Sequence, residues 1–478
     1  MRLRTGCDIR ILQCYDARNQ GSRIVRKFSF AALLGAIVCC ASASAEEAGG
    51  PLTVTIPGWW SLPFLLLLSC IAFVPFIHKP IWEKFFAHIS IGLGLLVAAV
   101  YLTQLGAHGR EKLGETALEY FKFIALVGSL FVISGGILID ISGGGNPRVN
   151  TLLLIAGLAL ANIVGTTGAS ALLIRPFLKI NKDRMKPFHV VLFIFIVSNC
   201  AGALTPVGDP PLFLGYINGV PFEWTILHCW QPWLLCNGLL LAVFFALDLR
   251  APKTHHHNVN RLEISGWRSV FCLGLVLCGV FIDRILAVNA SPRFEAWPIG
   301  AMVMLIAAFI SYRATDTRIH QHNDFHFGPI KEVALLFVGI FATMMPALEY
   351  LEHNASHLGI LTPGGFYFGS GSLSSFLDNA PAYLNFLTAA HGVKGMEFNS
   401  ANVLLFSQKY PDYLRAVSLG AVFFGACTYI GNGPNFMVKA IADSAGAKTP
   451  SFFAYIFKYT IPILVPILVL VWYLFLKS

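Results

Sequence analysis

Charge is what this 478-residue sequence has least of. Asp, Glu, Lys and Arg together make up 12% of it, about half the roughly 25% usual in a soluble domain. So few charges cannot cover a water-soluble globular surface, and an ordinary soluble fold is excluded. Thiol chemistry is thin as well. The 11 cysteines include no Cys-x-x-Cys, and Cys70, Cys200, Cys236, Cys272, Cys278 and Cys427 lie inside apolar runs, where cysteine behaves as a small hydrophobe. No G-x-x-x-x-G-K-(S/T) phosphate loop occurs, which argues against transport driven by a bound nucleotide. The expectation is a protein that is not an enzyme and needs no cofactor.

Hydrophobic residues make up 56% of the chain, in repeated runs of about 20 residues, the length of a membrane-crossing helix. The fold class read from this is an all-α polytopic membrane protein. The formal charge of +9 does not call for nucleic acid, because Lys and Arg gather in particular short loops, as the positive-inside rule requires.

Residues 1–22 are polar and basic, an extension of uncertain role. In 23–45, Arg23, Arg26 and Lys27 precede an apolar stretch and Ala41-Ser42-Ala43-Ser44-Ala45. That is the layout of a secretory signal; an uncleaved first helix is the alternative, and both leave Glu46 outside. Six membrane elements then fill 59–249, a basic linker runs over 250–268, and six more elements fill 269–476. The first half has spans at 59–77, 85–104, 117–139 and 230–249; the second has spans at 269–288, 297–312, 331–350 and 452–476. Between them lie two pairs of unusual segments.

One pair is broken helices. Thr205-Pro206-Val207-Gly208-Asp209-Pro210-Pro211 interrupts the apolar run 188–217, and Thr428-Tyr429-Ile430-Gly431-Asn432-Gly433-Pro434 interrupts 413–440 in the same pattern. Proline removes a backbone donor and opens the helix. In lipid, an opened backbone persists only when buried in protein or lining a polar cavity. The other pair, 149–174 and 362–390, has polar centres: Asn162 with Gly165-Thr166-Thr167-Gly168, and Ser374-Ser375 with Asp378-Asn379-Ala380-Pro381. Short apolar arms about such a centre predict a re-entrant hairpin rather than one kinked helix. Charge tests this. A hairpin returns the chain to the cytoplasmic side, where Arg175, Lys179, Lys182, Arg184 and Lys186 belong; a full crossing would put that basic cluster outside. The same scheme places the linker and its Arg250, Lys253, Arg261 and Arg268 inside, and the mature N-terminus and C-terminus in the periplasm.

The two halves then run in opposite senses, an inverted-topology repeat with about ten spanning helices, two re-entrant hairpins and two broken helices. Such repeats place their site near the midplane, at the repeat interface. Asn162 pairs with Asn379 at an offset of 217, and Thr205 with Thr428 and Gly208 with Gly431 at 223.

A small cation at that depth needs oxygen ligands, whereas the half-helix N-termini at both tips would suit an anion, and the architecture alone does not decide between them. The candidates are Asn162, Thr166, Thr167, Asn199, Thr205 and Asp209 from the first half, with Ser374, Ser375, Asp378, Asn379, Thr428, Asn432 and Asn435 from the second. Asp209 and Asp378 are the candidate Na⁺ ligands. A carboxylate at the bilayer centre costs about 2.5–3.5 kcal/mol on insertion scales, so either could exchange a proton for a bound cation. The competing reading is a helix cap that satisfies the free N–H groups of a half-helix; backbone satisfaction explains the Asn and Thr residues comparably well. Asp140, Glu349 and Asp283-Arg284 read as interfacial. His255-His256-His257, His320, His322 and His326 read as solvated loop histidines.

Two stretches carry a family likeness. Ala201-Gly202-Ala203-Leu204-Thr205-Pro206-Val207-Gly208-Asp209 and Ser374-Ser375-Phe376-Leu377-Asp378-Asn379-Ala380-Pro381 resemble motifs of NhaD-type Na⁺/H⁺ antiporters. These belong to the ion transporter superfamily, which also holds citrate, dicarboxylate and arsenite carriers. The resemblance covers 59 to the C-terminus and implies that Asp209, Asn199, Ser374, Asp378 and Asn379 belong to the ion path. It also implies two hairpins, an inverted repeat and often a homodimer. The chain departs from the pattern at Ala161-Asn162-Ile163-Val164, which has no acidic residue, and at Gly431-Asn432, where Asp has become Asn. Neither hairpin tip reads Ser-Asn-Thr, as in the sodium–carboxylate carriers. The expected function is secondary exchange of Na⁺ or Li⁺ for H⁺ across a bacterial-type inner membrane, by alternating access. The alternatives are a cation-coupled citrate, dicarboxylate or oxyanion permease, and a non-transporting membrane scaffold or sensor. Small ions or a small anion, and lipid, are the expected partners.

Overall fold

Prolines and glycines inside apolar runs decide where this chain turns. The computed structural model describes residues 56–252, 259–289, 298–354 and 359–477; the 1–22 extension, the signal-like 23–45 and His255 to His257 lie outside them. Among the described residues the protein is nearly all helical, with eight helical stretches long and apolar enough to cross a membrane, and two shorter apolar ones at Trp267–Ile282 and Ile299–Ala314. It is a polytopic membrane protein.

Helix α1 (Leu62–Gln104) holds the first two spans. It loses helical geometry at His78 (φ −152°), between Pro75 and Pro80, and folds back so that the rings of Trp60 and Tyr101 lie 6.0 Å apart. Helix α2 (Gly106–Gly135) follows. Strand β1 (Leu138–Gly143) leads into α3 (Pro147–Ile180). Helix α4 (Pro187–Ile196), a 3₁₀ turn (Cys200–Leu204) and α5 (Pro210–Ile217) form the first broken helix, and α6 (Phe222–Leu249) closes the first half.

The second half opens with strand β2 (Val259–Ser265), α7 (Trp267–Asn289), α8 (Ile299–Ala314), the short α9 (Thr317–His322) and α10 (Gly328–Asn354). Helices α11 (Pro363–Ser374) and α12 (Asn379–Val393) are the arms of the second hairpin, followed by α13 (Ser400–Lys409). Helix α14 (Pro411–Phe424), a 3₁₀ turn (Gly425–Cys427) and α15 (Gly433–Ser444) make the second broken helix. The last span, α16 (Phe452–Phe475), is π-helical over Ile456–Leu464.

Both expected hairpins are present. In α3 the chain leaves helical geometry at Gly165 (φ 76°, ψ 158°). Asn150 and Asn181, 31 residues apart, exchange side-chain hydrogen bonds of 2.8 Å. A continuous helix would hold them roughly 46 Å apart at 1.5 Å per residue, so the arms must run back to one face. In the second hairpin the Tyr413 hydroxyl donates to the Leu361 carbonyl (2.6 Å) and accepts from Lys394 Nζ (2.9 Å), which closes that mouth in the same way.

Two stretches differ from the sequence reading. The apolar run 117–139 ends as helix at Gly135, and Leu138–Gly143 is instead a strand paired antiparallel with Val259–Ser265 of the supposed linker. Ile139 and Ile141 alternate with Asp140 and Ser142, a period of two that suits a half-buried strand. Asp140 is therefore a strand residue, joined by Lys179 at 2.5 Å. His320 is not a solvated loop residue: it is half-buried in α9 against Tyr312 and Phe325.

Helices α1, α2, α7, α8 and α10 pack on one another, while the hairpins and broken helices pack together with α6 and α16. Val190 to Val197 in and after α4 are each no more than 1% exposed. A helix apolar on every side belongs at the centre of its bundle, and α4 carries the first break there.

Candidate functional site

The two breaks are built alike. A Cβ on Gly208 would lie 2.3 Å from the Gly202 carbonyl oxygen, and one on Gly431 would lie 2.5 Å from that of Gly425. Only glycine permits so close a crossing. Each break is then sewn to a hairpin: Thr205 Oγ1 donates to the Asn162 carbonyl (2.7 Å) and Thr428 Oγ1 to the Ser375 carbonyl (2.5 Å). This pairs Asn162 with Ser375, not with Asn379 as the sequence offset had it. At the same offset Thr166 corresponds to Asn379, and Gly165 to Asp378.

Thr166 and Asn379, the paired tip residues, meet on one carboxylate. Thr166 Oγ1 donates to Asp209 Oδ1 at 2.7 Å, Asn379 Nδ2 to Oδ2 at 2.7 Å, and Asn432 Nδ2 to Oδ1 at 3.3 Å. Asp209 is completely buried. It sits at the start of α5 in extended conformation (φ −144°, ψ 143°), yet its side chain does not cap that helix. Asn432 has the same place and backbone at the start of α15 (φ −149°, ψ 143°), again without capping. The two side chains point to each other instead. All three partners are donors, the set that suits an ionised carboxylate, which can only accept. Among the described residues no Lys, Arg or His side chain pairs with Asp209.

A ring of amides surrounds this centre. Asn199 Nδ2 donates to Asn435 Oδ1 (2.7 Å), its Oδ1 lies 3.2 Å from Asn432 Nδ2, and Asn435 in turn donates to the carbonyls of Gly425 and Thr428. Ser374 Oγ stands 2.6 Å from Asn379 Oδ1.

The remaining candidates have other work. Asn162 donates to the carbonyls of Leu158 and Ala201 and accepts from the Leu204 N–H, holding the first break open. Ser375 Oγ donates back to the Gly371 carbonyl within its own helix. The half-buried Thr167 takes no part in the network. Asp378 is half-buried and accepts from the Ala380 N–H at 3.2 Å, so at this position the helix cap is what forms.

A second buried polar group escaped the sequence reading. Asp248, at the end of α6, receives Arg184 Nη1 (2.7 Å), His189 Nε2 (2.8 Å) and Asn150 Nδ2 (2.8 Å), and none of the four is more than 3% exposed. With the Asn150–Asn181 pair it ties both ends of the first hairpin to α4 and α6. Arg184 reads in the sequence as one of several loop charges and Asp248 draws no reading at all; no local pattern links residues 64 apart.

Comparison with known proteins agrees with this architecture. Residues 53–476 match the family model CitMHS_2, described as "Putative citrate transport". The chain is also 26% identical over 333 residues to the "46 kDa membrane protein" of Mycobacterium leprae (strain TN), covering 63% of this chain and 71% of that protein. Neither match singles out the NhaD-type antiporters. With the match running across both repeats and every residue of the Asp209 network, this chain is a member of the CitMHS_2 citrate-transport family of membrane transporters.

Proposed function

We propose that this protein is a secondary active transporter that exchanges a monovalent cation, Na⁺ or Li⁺, for H⁺ at Asp209 by alternating access, in a bacterial-type inner membrane. The observation that carries the reading is the Asp209 carboxylate itself: fully buried, not capping its helix, and without a basic partner among the described residues. Burying a charge is costly unless something neutralises it. A proton and a small cation each do so, and one carboxylate cannot hold both fully. Competition for one group then gives exchange. Thr166, Asn379 and Asn432 supply oxygens that can turn toward a cation, and the donors they now present stabilise the carboxylate when it is bare.

The family match supports a second reading, in which the same cation site is coupled to uptake of citrate or a related small carboxylate. Proteoliposomes separate the two. Adding Na⁺ or Li⁺ to acid-loaded vesicles releases protons in the first case. Labelled citrate uptake that requires Na⁺ or a proton gradient, with no cation-evoked proton flux, establishes the second and overturns the first. Asp209→Asn abolishes the coupled flux in either.

A further inference from the structure

The geometry points to a two-position hydrogen-bond relay, Asp209–Asn379–Ser374–Ala421, that reports whether Asp209 is occupied to the second broken helix. It rests on the reading of Asp209 as the cation site and assigns Ser374, which does not touch Asp209, as a positioning residue. Ser374 Oγ lies 2.6 Å from Asn379 Oδ1 and also 2.6 Å from the Ala421 carbonyl. A hydroxyl has one proton, so it can donate to only one of them at a time. Ala421 lies in the last turn of α14, where carbonyls lack helical partners.

In the arrangement shown, Asn379 Nδ2 faces the Asp209 carboxylate, its Oδ1 faces Ser374, and the serine proton goes to Oδ1. When Asp209 binds Na⁺ or a proton, a donor facing it is the wrong group. A half-turn of the Asn379 amide exchanges its oxygen and nitrogen with almost no displacement of heavy atoms. The amide oxygen then meets the cation or the new O–H, the amide N–H donates to Ser374 Oγ, and the serine proton passes to the Ala421 carbonyl. Every donor is paired in both positions, and the Ala421 carbonyl receives the serine proton only in the occupied one. Occupancy of a site on the first broken helix thus decides whether the hairpin tip is bonded to α14. The first hairpin lacks the device: the residue equivalent to Ser374 is Ala161. A Cβ on Gly425 would lie 2.2 Å from Asn379 Oδ1, so the amide turns against bare backbone.

The test uses the purified full-length protein, with Na⁺ binding followed by thermal stabilisation against matched choline, and with exchange measured in proteoliposomes. Ser374→Ala leaves a buried N–H unpaired in the occupied position but only a carbonyl oxygen in the bare one, and orphaned N–H groups are the less tolerated of the two. Half-saturation by Na⁺ therefore rises about five- to tenfold, inhibition by protons moves to lower pH, and maximal exchange changes by less than about twofold. Ser374→Thr keeps the hydroxyl and restores both. Asn379→Asp presents oxygen on both sides and shifts both in the opposite sense, tighter Na⁺ and inhibition at higher pH. Asp378 is the carboxylate next to Asn379 at the same hairpin tip, so the profiles are repeated in Asp378→Asn. Equal Na⁺ and pH dependence in wild type and Ser374→Ala, or a drop in maximal rate alone, overturns the relay and leaves the site standing. No Na⁺ or pH response in the wild type overturns Asp209 as the site, and the relay with it.

Discussion

Asn379, at the tip of the second hairpin, donates its side-chain amide to Oδ2 of Asp209 in the first broken helix at 2.7 Å, across 170 residues of sequence. Thr166, the matching tip residue of the first hairpin, donates to Oδ1 of the same carboxylate at the same distance. One acidic side chain is therefore held by both halves of the molecule, and its counterpart in the second half, Asn432, is one of its donors.

Asp209→Asn removes the charge and keeps the shape. Truncating one partner of a buried charge-bearing hydrogen-bond network costs about 2–5 kcal/mol, so coupled flux in proteoliposomes falls by at least about 30-fold. The protein still purifies as a folded species, because an amide occupies the same volume.

Asp378 behaves differently. Its carboxylate caps α12 through the Ala380 N–H, and asparagine caps nearly as well as aspartate. Asp378→Asn retains most exchange activity, while Asp378→Ala lowers stability by about 1 kcal/mol, read as a lower melting temperature. Full loss of exchange in Asp378→Asn with unchanged melting would show that this carboxylate, too, carries the ion.

The Asp248 cluster is a clasp, and breaking it from one side is the severe case. Asp248→Leu strands Arg184 without its carboxylate and destabilises by about 3–5 kcal/mol. The double substitution Asp248→Leu with Arg184→Met recovers much of the loss. Melting of the single and double variants gives the coupling directly, and additive losses would show that the pair does not act as one.

Gly165→Ala places a side chain at φ 76° and ψ 158°, a backbone region open essentially to glycine alone. The strain is of order 1–3 kcal/mol and falls where Thr166 aligns with Asp209, so affinity for Na⁺ drops together with stability.

On the face that carries the two strands, the hydrogen bond from Lys179 holds the Asp140 carboxyl below its usual range. A carboxyl that is more acidic when folded adds stability above its unfolded value, near pH 3.9, and loses it as pH falls through the folded one. Both side chains are substantially exposed, 38% and 55%, so solvent and salt screening limit the effect to about 1 kcal/mol at most. Asp140→Asn therefore lowers the melting temperature slightly at pH 7, less in high salt, and the difference fades as pH falls through the folded value.

The membrane fold, both hairpins and both breaks were legible because each is written in local chemistry: apolar length, and Pro, Gly or a carboxylate where a spanning helix has none. The division of labour between Asp209 and Asp378 was not. Both begin a half-helix, and only the three-dimensional partners show that one turns its oxygens to the neighbouring repeat and the other to its own helix. Strand β1 was hidden because Leu138 to Ile141 continues an apolar run that began as helix. The repeat offset was misjudged by matching asparagine to asparagine, when the backbone equates Asn379 with a threonine.

Thr205 reaches a hairpin carbonyl 43 residues before it, whereas Thr428 reaches 53 back. The ten residues between those spacings match the length of α13, Ser400–Lys409, which has no equivalent in the first half. Helix α13 receives the indole N–H of Trp224 on the Ser407 carbonyl and lays Phe406 against His391 of the second hairpin. The opposite face of the protein is closed by a different device, the charged clasp. The two faces are thus fastened by unlike materials, one by aromatic packing with neutral and lysine hydrogen bonds and one by a buried ion cluster that salt screens little, so temperature must act on them unequally.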